Sequence, residues 1–141
     1  MAESIFGFST TMAHVASFRE LDVYRLARGL SHKVYILSKE FPIEERYSLT
    51  DQIRRSSRSV GSQIAETWAK RKYEKHFLSK PSDADGEQYE TQHWIETATD
   101  CGYISTQEAE DLLANYARIG KMLYTMMEKS SSFCQPENKK A

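Results

Sequence analysis

Two groups of residues in this chain have the types and spacing for chemistry. The first is Glu90-Thr91-Gln92-His93, a Glu-x-x-His pair with Glu87 one turn earlier. An acid and an imidazole three residues apart share one helix face, and di-iron bundles use two such motifs plus a Glu from each of two further helices. Here there is one copy, and Glu20, Glu44 and Glu66 belong to no second one. A lone acid–His pair on a helix is ordinarily solvated or hydrogen-bonded locally, so neither a metal nor a cofactor is expected. The second group is basic. Arg54, Arg55 and Arg58 are followed by Lys70, Arg71, Lys72 and Lys75, and residues 52–75 hold seven basic and two acidic side chains. Phosphates call for this kind of charge, and Tyr73 and Trp68 are available for base stacking. The same side chains also fit a solvated face, or partners for acids of the third helical segment.

Other enzymatic signals are sparse. The six glycines stand singly, so no loop can cradle a phosphate, and no serine sits in a nucleophile elbow. His14, His32, His76 and His93 are scattered. The expectation is a non-enzymatic protein that acts by binding and assembling.

Helices must position these residues. The chain has 141 residues, 40% hydrophobic and 28% charged, with three prolines. That is the size and composition of one globular domain able to bury a core without staples. No apolar run reaches the length that spans a bilayer, and residues 1–17 lack both Lys or Arg and a continuous apolar stretch, so they do not read as a secretory signal. Cys101 and Cys134 have no CxxC or zinc spacing. No disulfide is expected, and a cytoplasmic location is the default reading.

Four helical segments can be read, with no strand alternation and no internal repeat. The first covers about residues 18–39. Ser17-Phe18-Arg19-Glu20 reads as a capping box, and Leu21, Tyr24, Leu30, Val34, Leu37 and Phe41 form its apolar stripe. Phe41-Pro42 ends it. The second covers about residues 44 to 68 or 70, burying Leu49, Ile53, Ser57, Val60, Ile64 and Trp68, with Ser56, Gly61 and Ala65 as small flanking residues. The third, about residues 71–100, is the hardest to read. Between Ser79 and His93 only Ala84 and Tyr89 can be called core-forming, and Pro81 with Gly86 puts a loop at residues 80–86 on propensity alone. Tyr89, Trp94 and the acid run also form a face that a monomer core does not need, which suits a homo-oligomer. The fourth opens on a second capping box, Ser105-Thr106-Gln107-Glu108. Its seam is Ala109, Leu112, Tyr116, Ile119, Leu123 and Met126. Short connections predict an all-α, antiparallel up-and-down four-helix bundle over residues 18–129, between a disordered segment 1–17 and a disordered tail 130–141.

Charge is unevenly spread. Residues 1–75 carry 13 basic and 9 acidic side chains, residues 76–141 carry 6 and 11, and residues 82–111 hold nine acids with no Lys or Arg. Either a nucleic-acid surface or pairing between the two halves, within or between subunits, fits this asymmetry.

The order Phe18-x-x-Leu21-x-x-Tyr24, Phe41-Pro42-x-Glu44, Leu49-x-x-Gln52-Ile53-Arg54-Arg55, Ser59-Val60, Ile64-Ala65-Glu66, Glu90-Thr91-Gln92 and Gly102-Tyr103-Ile104 resembles a known family. It comprises bacterial four-helix bundle proteins encoded in intervening sequences of large-subunit ribosomal RNA genes and elsewhere. The accessory variability determinant of diversity-generating retroelements is a relative. The resemblance spans about residues 18–127. It implies an up-and-down bundle assembled as a homopentamer, with no enzymatic activity. In the retroelement branch it further implies binding to nucleic acid and to a protein partner through a basic surface. This sequence departs from the pattern at Gln63, Thr67 and Pro81, and in its net charge of −1. The resemblance also overrides the propensity reading of the third segment, which is expected as one helix bent at Pro81. Within the basic group, Arg54 and Arg55 are expected to pair with acids, and Lys70, Arg71, Lys72 and Lys75 to face solvent.

Overall fold

A computed structural model describes residues 15–134. Residues 1–14 and 135–141, most of the two expected disordered ends, lie outside the described residues. Among the described residues all regular structure is helical. Four long helices are α1 (Asp22–Ser38), α2 (Leu49–Ala69), α3 (Glu74–Asp100) and α4 (Thr106–Glu128). A single turn, α5 (Ser130–Phe133), follows, and 3-10 turns occupy Phe18–Glu20, Ile43–Glu45 and Lys70–Lys72. α1 packs on α2, α2 on α3, α3 on α4, and α4 back on α1, around one shared apolar core. No described helix is long and apolar enough to cross a membrane.

The buried stripe of α4 is the expected one, Ala109, Leu112, Tyr116, Ile119, Leu123 and Met126, with Met122 added. In α2, Leu49, Ile53, Ser57, Val60 and Ile64 are buried, and Thr67 takes the place expected for the half-buried Trp68. In α1 the seam runs through Val23, Ala27, Leu30 and Val34, and Tyr24 and Leu37 are only half-buried. Val23 and Ala27 continue the spacing of Leu30 and Val34, so the stripe is rotated slightly from the one read by side-chain size.

α3 corrects the propensity reading most. Residues 80–86 form no loop; the helix runs unbroken through Pro81. Its buried residues are Phe77, Pro81, Ala84, Gln88, Thr91, Ile95 and Ala98, alternating fours and threes along the whole length. Tyr89, which could have been core or part of a face that a monomer core does not need, sits beside this seam and is 63% exposed. The seam's polar members have partners: the Thr91 hydroxyl lies 2.9 Å from Ser56 Oγ and 2.8 Å from Glu87 O. Gln88 donates to Asp85 at 2.9 Å and accepts from Gln92 at 2.7 Å. Gly120 lets α4 approach this network, because a Cβ there would stand 3.1 Å from Gln88 Nε2.

The helix ends differ from expectation at one cap and agree at another. The Ser17 hydroxyl accepts from the Arg19 N–H at 3.2 Å, not from Glu20, and the Glu20 carboxylate accepts from the Ala16 N–H at 2.7 Å. The bonds close a tight turn, and extended Leu21 separates it from α1. The α4 capping box forms as expected, with Glu108 N–H donating to Ser105 Oγ and Ser105 N–H to the Glu108 carboxylate. α3 stops at Gly102, whose φ of 78° closes a Schellman motif: Gly102 N–H donates to Thr99 O and Tyr103 N–H to Ala98 O. Past residue 129, where a disordered tail was expected to begin, α5 packs on α3, Ser130 Oγ lies 3.3 Å from Glu74 Oε2, and Cys134 is buried.

Candidate nucleic-acid interface

The outer face of α2 carries two parallel rows. Arg46, Thr50, Arg54, Arg58 and Ser62 recur every four residues, and so do Tyr47, Asp51, Arg55 and Ser59 beside them. Each step of four advances about 6 Å along a helix, so such rows stand as ridges with a groove between them. Both rows line one open groove of about 670 Å³. Arg46 and Tyr47 precede α2 and extend the rows toward the α1–α2 connection. A second depression, over Tyr35, Lys39 and Ile43 of α1 and the connection, shares Arg46, Thr50 and Arg54 with the first.

α1 supplies the surface on which these cations rest. Lys39 Nζ, Arg54 Cζ and Arg58 Cζ lie 4.8, 4.9 and 5.6 Å from the centre of the Tyr35 ring. Arg54 Nε donates to Ser38 Oγ at 2.8 Å. Arg46 lies 5.7 Å from the Tyr47 ring. Arg55 pairs with Asp51 of its own helix at 3.8 Å. The acid partners expected for Arg54 and Arg55 therefore differ from those found. Arg54 meets a hydroxyl and an aromatic face, and only Arg55 meets a carboxylate. Arg55 also acts on α3: burial and the neighbouring Glu90 and Asp83 raise the Glu87 carboxyl pKa, and Arg55 opposes the rise.

The second half of the sequence cluster has a different setting. Arg71 lies back over the Trp68 ring at 3.5 Å and donates to Trp68 O at 2.9 Å. Its burial lowers the guanidinium pKa. Lys70, Lys72 and Lys75 are exposed, as expected, but Arg71 is not free in solvent. Trp68, read as a stacking surface, carries Arg71 on its ring. The seven basic residues of positions 54–75 thus split into a groove on α2 and a junction before α3. Tyr35, Lys39, Arg46 and Tyr47 were missed in the sequence reading. Stepping back by fours from Arg58 reaches Arg46 and would have found the row.

The Glu90–His93 pair is occupied locally. Trp94 Nε1 donates to Glu90 at 3.0 Å, and the His93 ring packs edge-on against Trp94 at 4.6 Å. Among the described residues no three His, Cys, Asp or Glu side chains gather where they could hold an ion.

Residues 19–125 match the family described as 23S rRNA-intervening sequence protein. The chain belongs to that family. Both rows on α2, the Tyr35 platform and the junction cluster lie inside the span that matches the 23S rRNA-intervening sequence proteins, and α5 lies outside it. The chain is also similar to a solved structure from Bacteroides thetaiotaomicron, described as a protein with unknown function from the S23 ribosomal protein family. That likeness has a TM-score of 0.67 at 23% identity, covering 75% of this chain and 95% of that one, and it concerns the fold. No curated protein matches the chain.

Proposed function

We propose that this chain is an antiparallel up-and-down four-helix bundle that assembles with copies of itself and holds nucleic acid on the groove of α2, acting by binding and not by catalysis. Three pairings support the antiparallel course. Ser38 at the end of α1 meets Arg54 in the first half of α2, Ser56 in the first half of α2 meets Thr91 in the second half of α3, and Glu74 at the start of α3 meets Ser130 just past the end of α4. Tyr103 donates to Glu45 at 2.9 Å, which ties the α3–α4 and α1–α2 connections at one end.

The observation that carries the nucleic-acid reading is the gathering of Lys39, Arg54 and Arg58 on one tyrosine ring beside Arg46. Among the described residues the ion pairs are Arg55–Asp51 and Lys80–Asp83, and neither neutralises any of these four. Like charges held together at a surface repel, and a phosphate backbone relieves that repulsion. Filter retention of RNA and DNA at low salt tests this. Retention that falls steeply as salt rises is expected, and no retention at low salt would end the nucleic-acid reading.

The second reading is a protein–protein assembly module with no nucleic-acid contact. It is favoured by a groove of about 590 Å³ between α3 and α4, lined by Tyr89 and Tyr124, which are 63% and 62% exposed. Light scattering tests assembly in either reading. A homo-oligomer, a pentamer by family resemblance, is expected, and a mass near the 16.3 kDa of one chain would refute it.

A further inference from the structure

The α2 groove ends on an exposed aromatic ring. Tyr47 is 84% exposed and adds nothing to the core, and Ile43 beside the same end is 77% exposed. Arg46 stands 5.7 Å from the centre of the Tyr47 ring, far looser than the 3.5 Å at which Arg71 covers Trp68. An aromatic ring left this exposed at the mouth of a cationic groove is a platform for an unstacked base. A duplex keeps its base faces inside and presents a convex cylinder of phosphates. Here the row is recessed only at its middle: Thr50 is 8% exposed and Arg54 is half-buried against Ser38 and Tyr35, whereas Arg46 and Arg58 on either side are exposed. A recessed middle flanked by exposed arginines suits a narrow strand that can settle into the groove.

The rows divide the work. Arg46, Thr50, Arg54, Arg58 and Ser62 present donors at steps of about 6 Å, with no carboxylate among them. The neighbouring row holds one acid, Asp51, already engaged by Arg55, and begins with Tyr47. A backbone following the first row would carry its bases toward the second. We propose that the groove takes single-stranded nucleic acid, with phosphates on Arg46, Arg54 and Arg58 and a base stacked on Tyr47. This rests on the nucleic-acid reading above and narrows it to an unpaired strand.

Fluorescence anisotropy of the full chain at low salt tests it. The probes are a short unstructured RNA strand and a blunt RNA duplex of equal length. Single strand should bind more tightly than duplex. Tyr47→Ala should weaken single-strand binding about tenfold, the order of one lost stacking contact, and leave duplex binding unchanged. Tyr47→Phe should keep the affinity, because stacking needs the ring and not the hydroxyl. Arg54→Gln with Arg58→Gln should weaken both probes. Thermal melts check that each variant folds. Duplex binding equal to or tighter than single strand, or a Tyr47→Ala variant unchanged on the strand, overturns the inference and leaves the broader reading standing. Failure of both probes to bind ends both.

Discussion

The two cationic clusters of this chain have similar composition and different surroundings. On α2, the guanidinium groups of Arg54 and Arg58 share the Tyr35 ring with Lys39 and face an open groove. At the α2–α3 junction, Arg71 covers Trp68 and donates to its carbonyl, and Lys70, Lys72 and Lys75 extend separately into solvent. A charge run therefore does not define a site. What matters is whether neighbouring elements hold the cations together without neutralising them. α1 does this for α2 through Tyr35 and Ser38. Nothing comparable gathers the junction lysines, and its arginine completes the packing of a tryptophan.

Substitutions can break that contrast in order of size. Reversing both Arg54 and Arg58 to Glu should lower nucleic-acid affinity by about 100-fold at low salt, since two phosphate contacts become repulsions. Loss of the Arg54–Ser38 bond should cost about 1 kcal/mol of stability in the same variant. Anisotropy and a denaturant melt read the two effects separately. Arg71→Ala should do the opposite. Stability should fall by about 1 kcal/mol through the lost cation–π contact and packing, with affinity near that of the parent. Replacing Lys70, Lys72 and Lys75 with Gln should change affinity by less than about threefold and leave the melt unchanged, because exposed single charges contribute little. If this triple variant loses as much affinity as the Arg54/Arg58 pair, the contrast between the clusters is wrong.

The smallest effect lies in the scaffold at the groove end of the molecule. Tyr103 donates to Glu45, close in sequence to Arg46 and Tyr47, and that bond raises the Tyr103 pKa to about 12. An unfolded tyrosine titrates near 10. The folded value is the higher, so the stability from this group is complete below about pH 10 and is lost as pH rises toward 12. Tyr103→Phe should flatten the fall in melting temperature over that interval relative to the parent. Identical slopes would show that the bond does not persist in solution.

Much of the fold was legible because its signals are apolar. The α4 stripe is made of large hydrophobic residues at threes and fours, and every one expected to be buried is buried. The same spacing exists in α3, but around Ala84 it is written in Pro81, Gln88 and Thr91, which no hydrophobic pattern registers. Those residues are buried because Ser56 and Gly120 on the flanking helices are small enough to let α3 approach, and because each polar group finds a partner across or along the seam. That is a tertiary fact with no local trace. Tyr89 could be read two ways, as core in a polar stretch or as part of a face that a monomer core does not need; it falls one position off the seam and is exposed, which agrees with the second. The site was half legible. Arg54, Arg55 and Arg58 stood out as a charge run, whereas Tyr35 and Lys39 belong to another helix and join them only through folding.

The salt dependence of binding tests the central claim most directly. The logarithm of the association constant for single-stranded RNA should fall linearly with the logarithm of salt concentration, and its slope counts the phosphates neutralised. Arg54→Gln with Arg58→Gln should make that slope shallower by about 1.4, the single-strand value for two lost phosphate contacts. The Lys70, Lys72 and Lys75 triple Gln variant should keep the parent slope. An unchanged slope in the arginine variant, or the larger drop in the lysine variant, would contradict the assignment of phosphate binding to the α2 groove.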